Sequence, residues 1–547
     1  MNPSFRLSLL AAVAFAAAIA PTLAWLEFSS GGENLLVSTI VEMRAGEGPS
    51  WLVPTLNGEP RVRKPPLPAW VSAATAPPRL FSDLSTPAVG PPRDRAYERL
   101  AYALRVPAVV MAMGIVLLIY ETGRTLRNPQ LGLYAAAIAA SSLILLRQGR
   151  SITSDVHLAF WVTAANLGML KAMTGRSLWR WLPFAGAALG LAILSKGPVA
   201  VVQTILPAAI AATTLKWRPA GLTAAGGIAA LVCGVIAAPW FAYVMITTPD
   251  VWNVWWSEVT RSGATNLRRD SIFTYLSIFP LMAPWTVLLA AGLMIAWRGH
   301  RRDLAGVWPI VGLAAPLIVM SLVKDKNERY LLPMLAPAAL AAAHGALALL
   351  HAEGLSRRAR RPLATAHWGL LLLMGVGIPA AGAIGQILPD RQPWWGWGFA
   401  AATAIAMLVL WAWTARSVRR RPTWLIGATM LIMYTVHAVF LHGYRASPPG
   451  RSEMKPIADA IIAHRATSAV WYFDPSQPPK PLPQDLQIYL NRVVRVVHRV
   501  EDLPAPTVDR VIVMLRREHA PPPTIPGWRE LASRPAGKRS WHALTGE

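Results

Sequence analysis

GGENLLVSTIVEMRAGEGPSWLVPTLNGEPRVRKPPLPAW, residues 31–70, follows an apolar run that begins near Leu7, and it sets Glu33, Glu42, Arg61, Arg63 and Lys64 among prolines and tryptophans. Ionisable groups placed directly after an apolar segment lie at a membrane surface. Charge is costly at that depth unless it serves a site, so the stretch reads as functional.

The surrounding composition agrees with a membrane chain. Of 547 residues, 54% are hydrophobic and only 15% charged, with mean hydropathy +0.37 and 24 tryptophans. A soluble domain carries roughly a quarter charged residues. The net charge of +25 raises nucleic-acid binding as an alternative, since a basic excess can mark phosphate-backbone contacts. Here the cations sit in short loops between apolar runs, a pattern that suits lipid headgroups instead. The single cysteine, Cys233, lies in an apolar run and excludes an internal disulfide or a thiolate metal cluster.

A span needs about 20 mostly apolar residues. Windows meeting or approaching that length begin near residues 7, 101, 131, 156, 182, 198, 221, 272, 304, 330, 363, 395 and 423, which predicts about thirteen transmembrane helices. The run after Arg6 is expected to be a retained first helix rather than a cleaved signal peptide, because it approaches spanning length. The weakest division is at Ser195-Lys196-Gly197-Pro198, where a Gly-Pro break splits one long apolar stretch in two. With the N-terminus inside, nineteen cations fall on inner segments and ten on short outer loops, so the charge bias favours that orientation. The outer cations recur beside the acidic candidates, as expected if several loops converge on one anionic ligand; ordinary snorkelling is the plain alternative.

From about Tyr444 the pattern changes. Strand-like runs at 468–473, 492–497 and 509–515 alternate with the helix-like KPIADAIIAH and proline-rich loops. The expected organisation is therefore an all-α polytopic membrane domain over 1–443, with residues 27–100 as its first external loop, followed by a small soluble α/β domain over 444–547 on the outer side.

Four linked blocks carry a resemblance: Glu33; Glu42-Met43; Trp51-Leu52-Val53-Pro54; and Asn57-Gly58-Glu59-Pro60 with Lys64-Pro65-Pro66-Leu67. Together they resemble the first external loop of the ArnT-like membrane glycosyltransferases, relatives of the protein O-mannosyltransferases. Further blocks match: Leu194-Ser195-Lys196-Gly197-Pro198; Pro239-Trp240-Phe241 with Phe279-Pro280 and Pro284-Trp285, which bracket a loop holding Arg261, Arg268 and Arg269; and SLVKDKNERYLLP from Ser321 to Pro333. The resemblance implies a GT-C fold in a bacterial inner membrane with the site facing outward. It also implies transfer of a sugar from a polyprenyl-phosphate carrier to a lipid, glycan or protein acceptor, with no further cofactor.

That chemistry has unequal needs. The departing phosphate wants cations, whereas an acceptor hydroxyl wants a carboxylate to take its proton. Glu33 and Asp155 are the base candidates, both at the outer ends of predicted helices. Lys64, Arg63, Lys196, Arg268, Arg269, Lys326, Arg329 and Tyr330 are the candidates for the carrier phosphate, for which bidentate arginine is well shaped. No HExxH, DxD or clustered histidine motif suggests a metal. Plain structural roles compete: an interfacial carboxylate for Glu33, an N-cap for Asp155 and a headgroup-binding loop around Lys64.

The chain departs from the family at two points. Gly32 stands where the family usually has an Asp before the Glu, and Arg63 replaces the acid common before the Lys-Pro pair. Those departures keep open a non-catalytic protein that binds a lipid-linked sugar. A transporter is the third class, disfavoured because no internal repeat is visible.

Overall fold

The computed structural model describes residues 2–25, 28, 31–45, 51–85, 89–260, 271–299, 303–323, 326–351, 355–387, 395–420, 424–446, 454–465, 468–476, 482–517, 525–536 and 539–547. It folds as two compact units, residues 1–21 with 108–447, and residues 22–107 with 448–547. The stretch 27–100, the expected first external loop, lies within the second of these units.

The first unit is helical. Each of the thirteen apolar windows falls on helix, and five of the described helices are long and apolar enough to cross a membrane, or six if the bent pair Thr274–Leu281 and Thr286–Arg298 is one span. The shorter apolar helices include Pro3–Ile19 and Val199–Thr214. Helix Ser154–Met173 packs along Leu178–Lys196, which in turn packs along Leu222–Thr247. Thr286–Gly299 lies against Leu335–His351 with the backbones touching, since a Cβ on Gly292 would overlap the carbonyl of Ala341. Glycine permits that approach where lipid supplies no hydrophobic drive between helices.

The break after Ser195 is real. Leu178–Lys196 ends at Lys196, Gly197 takes φ +87°, and Pro198 precedes a new helix, Val199–Thr214. Only glycine adopts that φ without strain, and proline's fixed φ suits a helix start.

The second unit is mixed α/β. Helix Gly31–Ala45 is followed by a hairpin, β1 (Thr55–Leu56) and β2 (Glu59–Pro60), turned by Asn57 and Gly58 at φ +61° and +84°. Asn-Gly is the preferred pair for a two-residue turn with both φ positive. The expected C-terminal strands are β3 (Ala469–Phe473), β4 (Val494–Val497) and β5 (Arg510–Arg517); two further strands, β6 (Trp528–Ala536) and β7 (Arg539–Gly546), complete a sheet of order β4-β3-β5-β7-β6. Strand β3 pairs in parallel with β4 and β5, and β7 is antiparallel to β5 and β6. Apolar side chains line both faces, Tyr472, Val511 and Trp541 under helices Met454–His464 and Gln484–Leu490, and Phe473, Ile512 and Trp528 on the other side. A parallel core buried on both faces explains why β3 and β5 read as continuous apolar runs.

Candidate active site

Helices Ser154–Met173 and Leu178–Lys196 are 20 and 19 residues long and are joined by a short turn. Equal lengths in an antiparallel pair return the chain to its starting level, so Lys196, the last residue of the second helix, meets Asp155 in the first turn of the first. Each charge sits at the helix end whose dipole favours it. Asp155 is 2% exposed, and the Lys196 ammonium is bonded to its Oδ1. The N-cap of this helix is Thr153, so Asp155 lies inside the first turn and is not the cap.

A third element closes the cluster. The short 3-10 helix Glu328–Met334 brings Arg329 Nε to 3.4 Å from Asp155 Oδ2. It also lays the Tyr330 ring 3.7 Å from Lys196 Nζ and 5.8 Å from Arg329 Cζ. Cations within about 6 Å of an aromatic face are attracted by the ring quadrupole. Gln203, which sequence reasoning did not single out, steadies the element by donating its Nε2–H to the Tyr330 carbonyl at 3.4 Å. Lys326, just upstream and 9% exposed, donates to the Val323 carbonyl at 2.6 Å. Asp155, Lys196, Arg329 and Tyr330 thus form one constellation drawn from segments up to 175 residues apart in number, from 155 to 330.

Glu33 has a different setting. It lies in the first turn of helix Gly31–Ala45, 3% exposed, and both carboxylate oxygens are taken by Arg105, at 2.9 Å from Nε and 3.1 Å from Nη2. The same guanidinium donates to the Leu23 carbonyl at 2.9 Å and stacks 4.6 Å from the Phe28 ring. Both oxygens of the carboxylate are thus occupied by one guanidinium fork.

Glu42, which the motif also contains, is 1% exposed and is consumed by three donors: the backbone N–H groups of Asn57 and Gly58, the latter at 3.1 Å, and Gln487 Nε2 at 2.6 Å. Its work is to hold the hairpin turn against the C-terminal helix Gln484–Leu490. Beyond the hairpin, Arg63 is exposed and Lys64 half-buried. They and Glu33 belong to the second unit, whereas the Asp155 cluster belongs to the first. Arg268 and Arg269, with Arg261, lie outside the described residues.

Residues 98–250 match the family model described as dolichyl-phosphate-mannose-protein mannosyltransferase. The chain is 28% identical over 248 residues to an undecaprenyl phosphate-alpha-4-amino-4-deoxy-L-arabinose arabinosyl transferase of Proteus mirabilis, covering 44% of each chain. It is 30% identical to the corresponding protein of Pseudomonas fluorescens, covering 44% of this chain and 45% of that one. The match thus spans less than half the length of these relatives. The crystal structure of ArnT from Cupriavidus metallidurans bound to undecaprenyl phosphate superposes with a TM-score of 0.73 at 19% identity, covering 98% of this chain and 96% of that one. At that identity the likeness establishes the fold: this chain has the GT-C architecture of ArnT.

Proposed function

We propose that the chain is an integral membrane glycosyltransferase that moves a sugar from a polyprenyl-phosphate carrier to a hydroxyl of a lipid, glycan or protein outside the cytoplasm. The observation that carries this reading is the buried Asp155 carboxylate set between Lys196 and Arg329 against Tyr330. Two cations held by one carboxylate at a membrane surface make a seat for an anion. The relatives are named as arabinosyl transferases acting on an undecaprenyl phosphate sugar, which matches that chemistry in kind.

In the proposed mechanism, the carrier phosphate takes Lys196 and Arg329 as its partners, with Lys326 adding positive charge as the phosphate approaches. As the phosphate takes up its two cations, Asp155 accepts the proton of the acceptor hydroxyl. The acceptor oxygen attacks the anomeric carbon from the face opposite the phosphate; the carbon–oxygen bond to phosphate breaks, and its electron pair leaves on the phosphate oxygen. The cations stabilise that developing charge, so the carrier sugar needs no further cofactor. Glu33, the other base candidate, acts here by holding Arg105 and the start of its helix.

The experiment is transfer of labelled sugar from membrane polyprenyl-phosphate donors by the purified protein, comparing wild type with Asp155→Asn, Lys196→Met and Arg329→Met, and reading undecaprenyl phosphate binding alongside. Lost transfer in all three, with binding weakened in the two cation variants and kept in Asp155→Asn, is the expected result. A product with retained anomeric configuration would refute the single displacement. The closed Glu33–Arg105 pair and Gly32 favour a second reading, a protein that binds the lipid-linked sugar without turnover. Carrier binding with no transfer by wild type across a broad donor panel would establish it.

A further inference from the structure

Away from the Asp155 cluster, helix Leu178–Lys196 forms the floor of a cleft of about 780 Å³ whose walls are Val199–Thr214 and Leu222–Thr247. Leu182, Leu189 and Ile205 line it, with Gly226 and Gly234 leaving it open on one wall and Trp217 at one end. Its lining is almost wholly apolar. Leu222–Thr247 is poorly buried, with 17% of its apolar window covered, and Leu231 and Val235 are 66% exposed each. The cleft therefore faces the hydrocarbon of the bilayer.

The end away from Lys196 has a distinct chemistry. Arg180 lies in the first turn of the floor helix, and Lys216 and Arg218 flank Trp217; Arg176 lies in the preceding turn. These four cations are exposed, and no ion pair involves them among the described residues. Nearby Lys171 is already taken, by Glu121 at 2.6 Å. No aspartate or glutamate occurs between Asp155 and Asp250, so nothing in this part of the chain balances that charge. Trp181 stands among the cations, 4.0 Å from Lys171 Nζ and 5.3 Å from Arg180 Cζ. Tryptophan and cations together mark a headgroup level.

From this pairing of an open apolar cleft with an uncompensated cationic rim, we infer that the cleft binds an anionic phospholipid, its acyl chains between the two walls and its phosphate at Lys216 and Arg218. Basic pockets between membrane helices hold acidic lipid headgroups by the same combination. The charge bias puts this rim on the cytoplasmic side, away from the proposed carrier site. The lipid occupies this cleft whether or not the protein transfers sugar.

The test is made on the purified full-length chain by native mass spectrometry and thermal unfolding, with phosphatidylglycerol or phosphatidylcholine added at equal concentration. Phosphatidylglycerol is expected to be retained and to raise the melting temperature, and phosphatidylcholine to do neither. Lys216→Gln with Arg218→Gln should weaken retention about thirtyfold. Gly226→Leu with Gly234→Leu fills the cleft, and since a Cβ at either position meets no atom within 4 Å, the fold should tolerate it; that variant should lose the lipid while keeping its lipid-free stability. Equal retention of both lipids, or wild-type retention in either variant, would overturn the inference. Displacement of phosphatidylglycerol by undecaprenyl phosphate would overturn it too, and would give the cleft to the carrier's chain instead.

Discussion

At the scale of single residues, two buried carboxylates have opposite settings. Glu33 is closed in a bidentate pair with Arg105, both partners 4% exposed. Removing one partner of such a pair leaves an unbalanced buried charge and costs about 3–5 kcal/mol, whereas replacing both with apolar groups is often neutral. Glu33→Gln should therefore lower the melting temperature sharply, and Glu33→Leu with Arg105→Met should recover it; equal loss in single and double variants would show that the pair is not the cause. Asp155 faces Lys196 and Arg329, the latter 24% exposed at its side chain and so reachable by a ligand. Asp155→Asn should reduce sugar transfer by about a hundredfold or more, the scale of a lost general base, and a stopped-time transfer assay reads it directly. The Asp155 cluster was legible in the sequence because its members stand beside helix ends, in motifs whose residue types suit an anion. Arg105 was not, since an arginine within an apolar run gives no sign of which carboxylate, 72 positions away, will meet it.

At the scale of elements, the hairpin of helices Ser154–Met173 and Leu178–Lys196 sets the level at which Asp155 and Lys196 meet. Gly197 ends the second helix at φ +87°. Gly197→Ala forces an L-residue into a region that is essentially glycine's own, at about 1–3 kcal/mol, and the chain can relieve the strain by extending the helix past Lys196. The expected outcome is weaker undecaprenyl phosphate binding with near-normal expression; binding equal to wild type would show that Lys196 is placed by its partners alone. Apolar length marked all thirteen windows that fall on helix, and proline marked the break at 197–198. Length alone did not separate spans from shorter apolar helices such as Val199–Thr214, because packing against neighbours shelters polar ends that length cannot reveal.

At the scale of the whole molecule, residues 22–107 form one compact unit with 448–547. Specific bonds account for it: Gln487 to Glu42, the Ser38 hydroxyl to the Gln484 carbonyl at 3.2 Å, Asn491 Nδ2 to the Phe81 carbonyl at 2.6 Å, and the stack of Tyr97 on Tyr489 at 5.1 Å. Truncation after Ser447 should leave the 31–107 segment unprotected in hydrogen exchange, while helices within 108–447 keep their protection. Lys455 joins the same unit, 3.0 Å from both Asp94 and Asp459; burial alone would lower its pKa, but those carboxylates raise it above the usual lysine value. A raised folded-state pKa stabilises fully below the unfolded value, near pH 10, and is lost as pH climbs through the folded one. Unfolding followed from pH 6 to 11 should therefore show Lys455→Met losing its deficit against wild type only above about pH 10. The sequence by itself determined that this chain is a polytopic membrane protein with a C-terminal α/β segment, which carboxylates and cations stand near helix ends, and where the helix at Lys196 stops; apolar length, alternation and glycine–proline punctuation are local properties of the chain. Only the tertiary structure decided that Asp155 is shared by Lys196 and Arg329, that Glu33 is spent on Arg105, and that the first loop packs on the C-terminal helix Gln484–Leu490. Those pairings join residues tens to hundreds of positions apart, and burial selects among partners that sequence leaves equivalent.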